Sequence, residues 1–340
     1  MGKKQDKASC PNFFTKMNEN IKTKKVLGYG LAAVSIFFWG ITFICTKALL
    51  NDFSSLEILF FRFIAAYLGL WIMHPKAQKM ERRDNILFAL AGLSGVVLYQ
   101  FSENIAINFT NASNVSVIVS ICPLFTAIIA QLILKENHLT LWFLLGFIIS
   151  IFGVALVCFN GKTQLELNPK GDLLALFSGI CWGFYSLFVS IINKKNYDPI
   201  CTTRRVFFYA VIFMLPLVLL GIKFGDPAAK EGFTASIAIT LDRSLNAARF
   251  SKAINWFNLL FLGIIASGFC FSAWNKACEI VGTVRVSCGL YLIPVVTIIF
   301  AFFTLGEQIT LLGALGSIIT IIGLFVSEKK DRPANEDGLN

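Results

Sequence analysis

The chain has 340 residues, 56% of them hydrophobic and only 15% charged, with a formal net charge of +10 and a mean hydropathy of +0.69. This composition excludes an ordinary soluble two-domain protein and leaves no room outside a bilayer for a separate catalytic domain. The basic charge is no sign of nucleic-acid binding, because its placement follows the loops of a membrane protein.

A basic tail, residues 1–25, comes first. Crossing the hydrocarbon takes about 20 apolar residues per helix. By that measure spans 1 to 5 lie near 26–50, 54–74, 86–108, 112–134 and 139–159. Spans 6 to 10 lie near 172–193, 204–222, 254–277, 283–305 and 309–327, and a short tail, 328–340, follows. Spans 7 and 8 are separated by a polar insertion, about 223–253. With the N-terminus inside, the inside loops and tails hold 17 Lys and Arg and the outside segments seven. That bias places both termini in the cytoplasm, and the expected location is the plasma (bacterial inner) membrane.

No cleavable signal peptide is apparent, since the first apolar stretch begins late and is too long. Most of the nine Cys lie within spans and no CxxC occurs, so they read as small packing residues. With only His74 and His138 and no paired Cys, no metal site is expected, and no cofactor either. Gly161-Lys162-Thr163 mimics the tail of a phosphate loop, but Leu156 occupies the place of its first glycine. Asn108, Asn111 and Asn114 open glycosylation triplets at or within a span, where modification is not expected.

The spans form two copies. Trp39-Gly40 and Arg62 return as Trp182-Gly183 and Arg205, a constant offset of 143. Ser116, Pro123 and Glu136 return as Ser287, Pro294 and Glu307, an offset of 171, and the insertion accounts for the difference of 28. Each copy has an odd number of spans, so the two insert with opposite orientation. The expected fold is an all-α integral membrane bundle of ten transmembrane helices in two inverted five-helix repeats, 26–160 and 171–327. A secondary transporter with its site at the midplane uses this plan.

These residues resemble the EamA family of the drug/metabolite transporter superfamily. The resemblance rests on Trp39-Gly40, Arg62-Phe63, Pro123 and Glu136, and on Trp182-Gly183, Arg205, Tyr291-Leu-Ile-Pro294 and Leu305-Gly306-Glu307, and covers nearly all of 26–327. It implies a ten-helix carrier of amino acids, related metabolites or drugs that works without ATP hydrolysis, often as an exporter. The long insertion departs from the family's usual short connection.

From the residues themselves, Pro123 and Pro294 sit at matched mid-span positions. Each would free a backbone carbonyl, of Val119 and Leu290, which hydrocarbon tolerates only against protein or a wet cavity. Spans 1, 3, 4, 6, 8 and 9 are expected around that cavity. Lys47, near the end of span 1, either snorkels to the headgroups or meets an anionic substrate group. For Arg62 and Arg205 a structural charge role, pinning helix ends, is favoured over substrate contact. Glu103 in span 3, a turn after Tyr99, is a candidate carrier of a coupling proton, or else a solvated carboxylate at the mouth. Its counterpart is Trp274, and Asn104 matches Asn275. Trp39, Thr42, Trp182, Tyr185 and Tyr291 complete the candidate lining, rings beside polar groups that suit a mostly apolar metabolite. Glu136 and Glu307 are expected to serve the turns. Trp71, Trp142 and Trp256 read as interface anchors.

The expectation is a monomeric, non-enzymatic transporter of a small organic molecule, first of all an amino acid or relative, exported by alternating access with a proton as coupling ion. Its alternatives are a facilitator or antiporter for sugar phosphates or nucleotide-type substrates, and a non-transporting membrane protein.

Overall fold

The computed structural model describes residues 13–109, 115, 118–159, 168–226, 233–239, 243–305, 310–327 and 329. Several sequence expectations lie outside them: Ser116, Glu307, the sites at Asn111 and Asn114, and Gly161-Lys162-Thr163.

The ten spans are α1 (Phe13–Leu49), α2 (Ser55–Met73), α3 (85–109), α4 (Cys122–Leu134), α5 (Leu141–Phe159), α6 (Pro169–Asn193), α7 (Pro199–Phe224), α8 (Ala253–Val281), α9 (283–305) and α10 (Leu311–Ser327). Seven are long and apolar enough to cross a bilayer and three are shorter apolar helices. The molecule is therefore an all-helical, multi-pass membrane protein.

Local chemistry sets the starts of several spans. Ser54 caps α2 in a reciprocal box with Glu57. Asn168 and Asp198 accept from the first free amides of α6 and α7, each followed by a proline at the first helical position. Lys135, after α4, takes a left-handed conformation with φ 56°.

Packing repeats between the copies. The first span of each copy lies against the third and fourth of the other: α1 on α8 and α9, α6 on α3 and α4. Likewise α2 packs on α8 and α7 on α3, while α2 meets α7 and α5 meets α10 across the axis. Exchanging the copies leaves this pattern unchanged, as a twofold relation demands. Five spans per copy make that relation an inversion through the membrane plane. Atomic detail agrees. A Cβ on Gly92 of α3 would approach Val206 O of α7 to 2.6 Å, and one on its counterpart Gly263 of α8 would approach Arg62 O of α2 to 2.9 Å.

Each copy also carries a π-helical stretch at the corresponding place, Leu93–Leu98 in α3 and Phe261–Phe269 in α8. Such a widened turn shifts the hydrogen-bond ladder and often marks a functional region.

The prolines differ from the expectation of mid-helix kinks. A turn at Ile118–Ile121 precedes α4, so Pro123 falls in its first helical turn. Pro294 follows a 3-10 turn, Gly289–Leu292, one residue into the α-helical part of α9. In a first turn the missing N–H breaks no ladder bond, so the irregularity lies in the turn before each proline.

Candidate functional site

A cavity sits where α1, α2, α3, α4, α6, α8 and α9 meet. Span 2 was not among the six expected around it, and it enters through Arg62. Trp39, Tyr99, Trp182 and Phe271 supply rings, while Thr42, Gln100, Glu103 and Ser120 supply polar groups. Val119 and Leu290, the matched residues ahead of the two prolines, both line it.

Arg62 is 4% exposed. Its Nε donates to Ser267 Oγ at 2.6 Å and its Nη1 to Gln100 Oε1 at 2.9 Å, and it lies close enough to Glu103 for their charges to interact. Both partners are neutral, so this guanidinium is held in place without being neutralised by direct contact. Nη2 makes no hydrogen bond among the described residues. Glu103, buried one turn beyond Tyr99, lines the cavity with it, and its Oε2 has no partner among the described residues.

The matched tryptophans are not used alike. Trp39 Nε1 donates to Ala266 O, inside the π stretch of α8, at 2.8 Å. The symmetric acceptor for Trp182 would be Gly95 O, but Trp182 Nε1 is buried with no partner among the described residues. A buried polar group without a partner costs about 1–3 kcal/mol. The cavity thus offers an unanswered donor, an unanswered acceptor and a spare guanidinium nitrogen.

A second cavity lies at the ends of α4, α6 and α8 and the start of α9, lined by Thr126, Glu136, His138, Ser186, Asn193 and Lys194 among others. It opens on the side where α1 begins, since Gly28 there packs against Ile280 and Val281 at the end of α8. On α6, Trp182 faces the first cavity and Ser186 the second, so about one helical turn separates them. On α9 the partition carries Ser287 Oγ, and nearby Tyr291 Oη; both are buried without a partner among the described residues.

Other expected cavity residues are placed elsewhere. Lys47 is exposed on the surface and does not line the cavity. Tyr185 Oη donates to Asn275 Oδ1 at 2.9 Å, and Asn275 Nδ2 donates to Thr203 at 3.1 Å, tying α6, α8 and α7 behind the cavity. Trp274 packs behind it with its ring tilted, 4.9 Å from Trp39 and 6.1 Å from Trp182. Asn104 faces the start of α2, its amide 3.5 Å from Ser55 O. Tyr291 packs with Phe147 and the α4–α5 cluster. Arg205 holds Asn85 at the start of α3.

Sequence reasoning passed over Ser120, Ser267 and Phe271. Gln100 was legible as the neighbour of Tyr99, whereas Ser267 matters only because the π stretch turns it towards Arg62. His74, Asp198 and Cys201 also converge, with ligand atoms within 4.8 Å of one another. However, Asp198 Oδ1 already caps α7, and the Arg204 guanidinium lies 3.6 Å from Cys201 Sγ, a setting unfavourable to a cation.

Among relatives, an uncharacterised transporter of Archaeoglobus fulgidus is 27% identical over 305 residues, 88% of this chain and 96% of its own length. The uncharacterised transporter YyaM of Bacillus subtilis is 25% identical, covering 85% and 90%. A probable terminal-alkyne amino-acid exporter of Streptantibioticus cattleyicolor is 24% identical, covering 74% and 76%. A solved structure superposes with a TM-score of 0.66 at 14% identity over 90% of this chain and 96% of that one, which shows a shared fold. The family model described as the EamA-like transporter family matches residues 26–159 and again 169–328, both halves of the bundle. Two such domains in one ten-span chain make this protein a transporter of the EamA-like family, and not an enzyme.

Proposed function

We propose that the chain is a secondary carrier that exports small zwitterionic molecules with apolar side chains, amino acids and their analogues, by alternating access. The observation that carries this is the pair of opposed charges in one buried cavity. Arg62 has Nη2 to spare and Glu103 has Oε2 to spare, a match for a carboxylate and an ammonium on the same small molecule. Trp182 Nε1 offers one more donor, and the rings of Trp39, Tyr99 and Phe271 suit an apolar side chain. The probable amino-acid exporter among the relatives agrees with this reading. A sugar phosphate or nucleotide fits less well, because Arg62 is the one cation among the described lining residues and a carboxylate sits beside it.

In this reading both termini and the second cavity face the cytoplasm, across the plasma membrane, by the excess of Lys and Arg on that side. Residues 26–160 and 171–327 rock against each other, and the one-turn partition at Trp182–Ser186 is the part that opens. Glu103 carries the coupling proton, and the working unit is one chain.

The test uses proteoliposomes and counterflow of labelled amino acids. Leucine-like substrates should exchange, whereas their methyl esters and N-acetyl derivatives should not, since each modification removes one of the two charges. Equal exchange of blocked and unblocked compounds would remove the zwitterion assignment. Proton-driven transport unchanged in Glu103→Gln would remove the coupling role.

A further inference from the structure

At the end of the bundle where α2 finishes and α7 begins, a groove opens on the outside of the protein. Its walls include Tyr67 and Trp71 of α2, Gln78 and Met80 of the following loop, and Arg204, Arg205 and Phe208 of α7. It is separate from both cavities described above. From its walls an apolar surface continues along both helices: Leu68, Ile72 and Ile212 are 54%, 82% and 40% exposed. In a membrane protein such side chains face acyl chains, so the groove lies at the level where hydrocarbon gives way to headgroups.

The two arginines are unusual for that place. Arg204 lies over the Trp71 ring, its Cζ 3.7 Å from the centroid, and donates to the carbonyls of His74 at 2.7 Å and Lys76 at 2.8 Å. Arg205 spends Nε and Nη2 on Asn85 Oδ1, leaving Nη1 with no partner among the described residues. Neither guanidinium has a carboxylate within ion-pairing distance among the described residues. Of the nearby acids, Asp84 is occupied by Tyr197 and Lys195 and Asp198 by the amides of α7, while Glu81 is exposed in the adjoining loop and forms no ion pair with either arginine. Lys76, Lys79, Arg82 and Arg83, exposed in the adjoining loop, add more positive charge. Two fixed charges without counter-ions, at the end of an apolar groove, call for an anion that brings its own hydrocarbon.

We infer that this groove binds an anionic phospholipid, its phosphodiester on Arg205 with the buried Arg204 adding positive charge beside it, and its acyl chains along Leu68, Ile72 and Ile212. Because Arg205 also holds the start of α3 and Arg204 the end of α2, the bound headgroup sits beside side chains that fix both spans.

The full-length protein, purified in mild detergent, is titrated by native mass spectrometry with phosphatidylglycerol, with phosphatidylcholine of the same chains, and with glycerol phosphate. Phosphatidylglycerol should bind in preference to phosphatidylcholine, and glycerol phosphate should not displace it. Arg205→Gln should weaken the phosphatidylglycerol complex about fivefold. Arg205→Lys, which keeps the charge and loses the fork to Asn85, should retain most of it. Lys223→Gln, at the far end of α7, should bind as the unaltered protein does. Equal retention of the two lipids overturns the inference, as does displacement by glycerol phosphate. So does a loss in Arg205→Lys as large as in Arg205→Gln, which would assign the effect to the Asn85 contact alone.

Discussion

The unequal use of the two matched tryptophans yields a differential prediction. Replacing either with Phe removes similar ring area from the same aromatic cluster, in which the two rings are 5.7 Å apart. The N–H is what differs. Trp39→Phe deletes a 2.8 Å hydrogen bond to Ala266 O, a net loss of about 1 kcal/mol. Trp182→Phe deletes a donor that has no partner to lose, so its folding cost should be smaller by about that amount. Thermal unfolding in detergent should place Trp39→Phe below Trp182→Phe by about 1–2 °C. Counterflow should show the reverse order for substrate. Trp182→Phe loses a ligand hydrogen bond, about 0.5–1.5 kcal/mol, and its half-saturation concentration should rise by about two- to tenfold. Trp39→Phe should shift it less. Equal stabilities, or a larger substrate effect in Trp39→Phe, would refute the assignment of one tryptophan to the scaffold and the other to the ligand.

Three further outcomes test the scaffold. Arg249, from the insertion, grips Glu57 through two hydrogen bonds of 2.8 and 3.1 Å with both side chains buried. Arg249→Leu should therefore cost about 3–5 kcal/mol in unfolding, and adding Glu57→Leu should restore much of it. In α5, a Cβ on Gly153 would stand 2.5 Å from Thr320 N and 2.7 Å from Gly316 O of α10, so Gly153→Leu should lower the melting temperature while Gly30→Leu, with open space around it, should not. Hydrogen bonding from His138, joined by Lys194 and opposed by partial burial, holds the Glu136 carboxyl below its ordinary range. A depressed folded value means that its contribution is complete above the ordinary carboxylate range of about 4.3 and vanishes as pH falls through the folded value. The melting difference between the unaltered protein and Glu136→Gln should hold at neutral pH and close in acid. A difference that grows in acid would reverse that sign.

The spans were readable because a helix in hydrocarbon must be long and apolar. Their starts were partly readable, since Ser54, Asn168 and Asp198 are side chains that satisfy free amides. The repeat was readable as constant offsets, and it carries the symmetric packing of α1 on α8 with α6 on α3. The π stretches were hidden, because a shifted hydrogen-bond ladder leaves no mark on composition. With them went the facing of Ser267 and the role of Ala266 O. Sequence placed Lys47 near a helix end but could not say which way it faced. The Arg249–Glu57 pair joins residues 192 positions apart, and an insertion without a counterpart in the other copy offers no offset to read.

The site owes its polarity to the places where the two copies no longer match. Tyr99, Gln100 and Glu103 of α3 correspond to Cys270, Phe271 and Trp274 of α8. One wall of the cavity is therefore hydrogen-bonding and acidic, while on the symmetry-related side only the ring of Phe271 reaches the cavity, with Trp274 behind it. Arg62 joins the polar wall because Ser267 and Gln100 hold it there, whereas its partner Arg205 is turned outward to Asn85. A symmetric scaffold can rock between two equivalent states, but a symmetric cavity would not orient a small molecule. Under the proposed function, the divergence of α3 from α8 fixes that orientation, with the charged head against α3 and Arg62 and the apolar end against Phe271. In that same reading, the divergence should make the two states of the rocking motion unequal in energy. Their balance is thus set by the residues that select the substrate, and exchanging Gln100 or Glu103 for their α8 counterparts alters both at once.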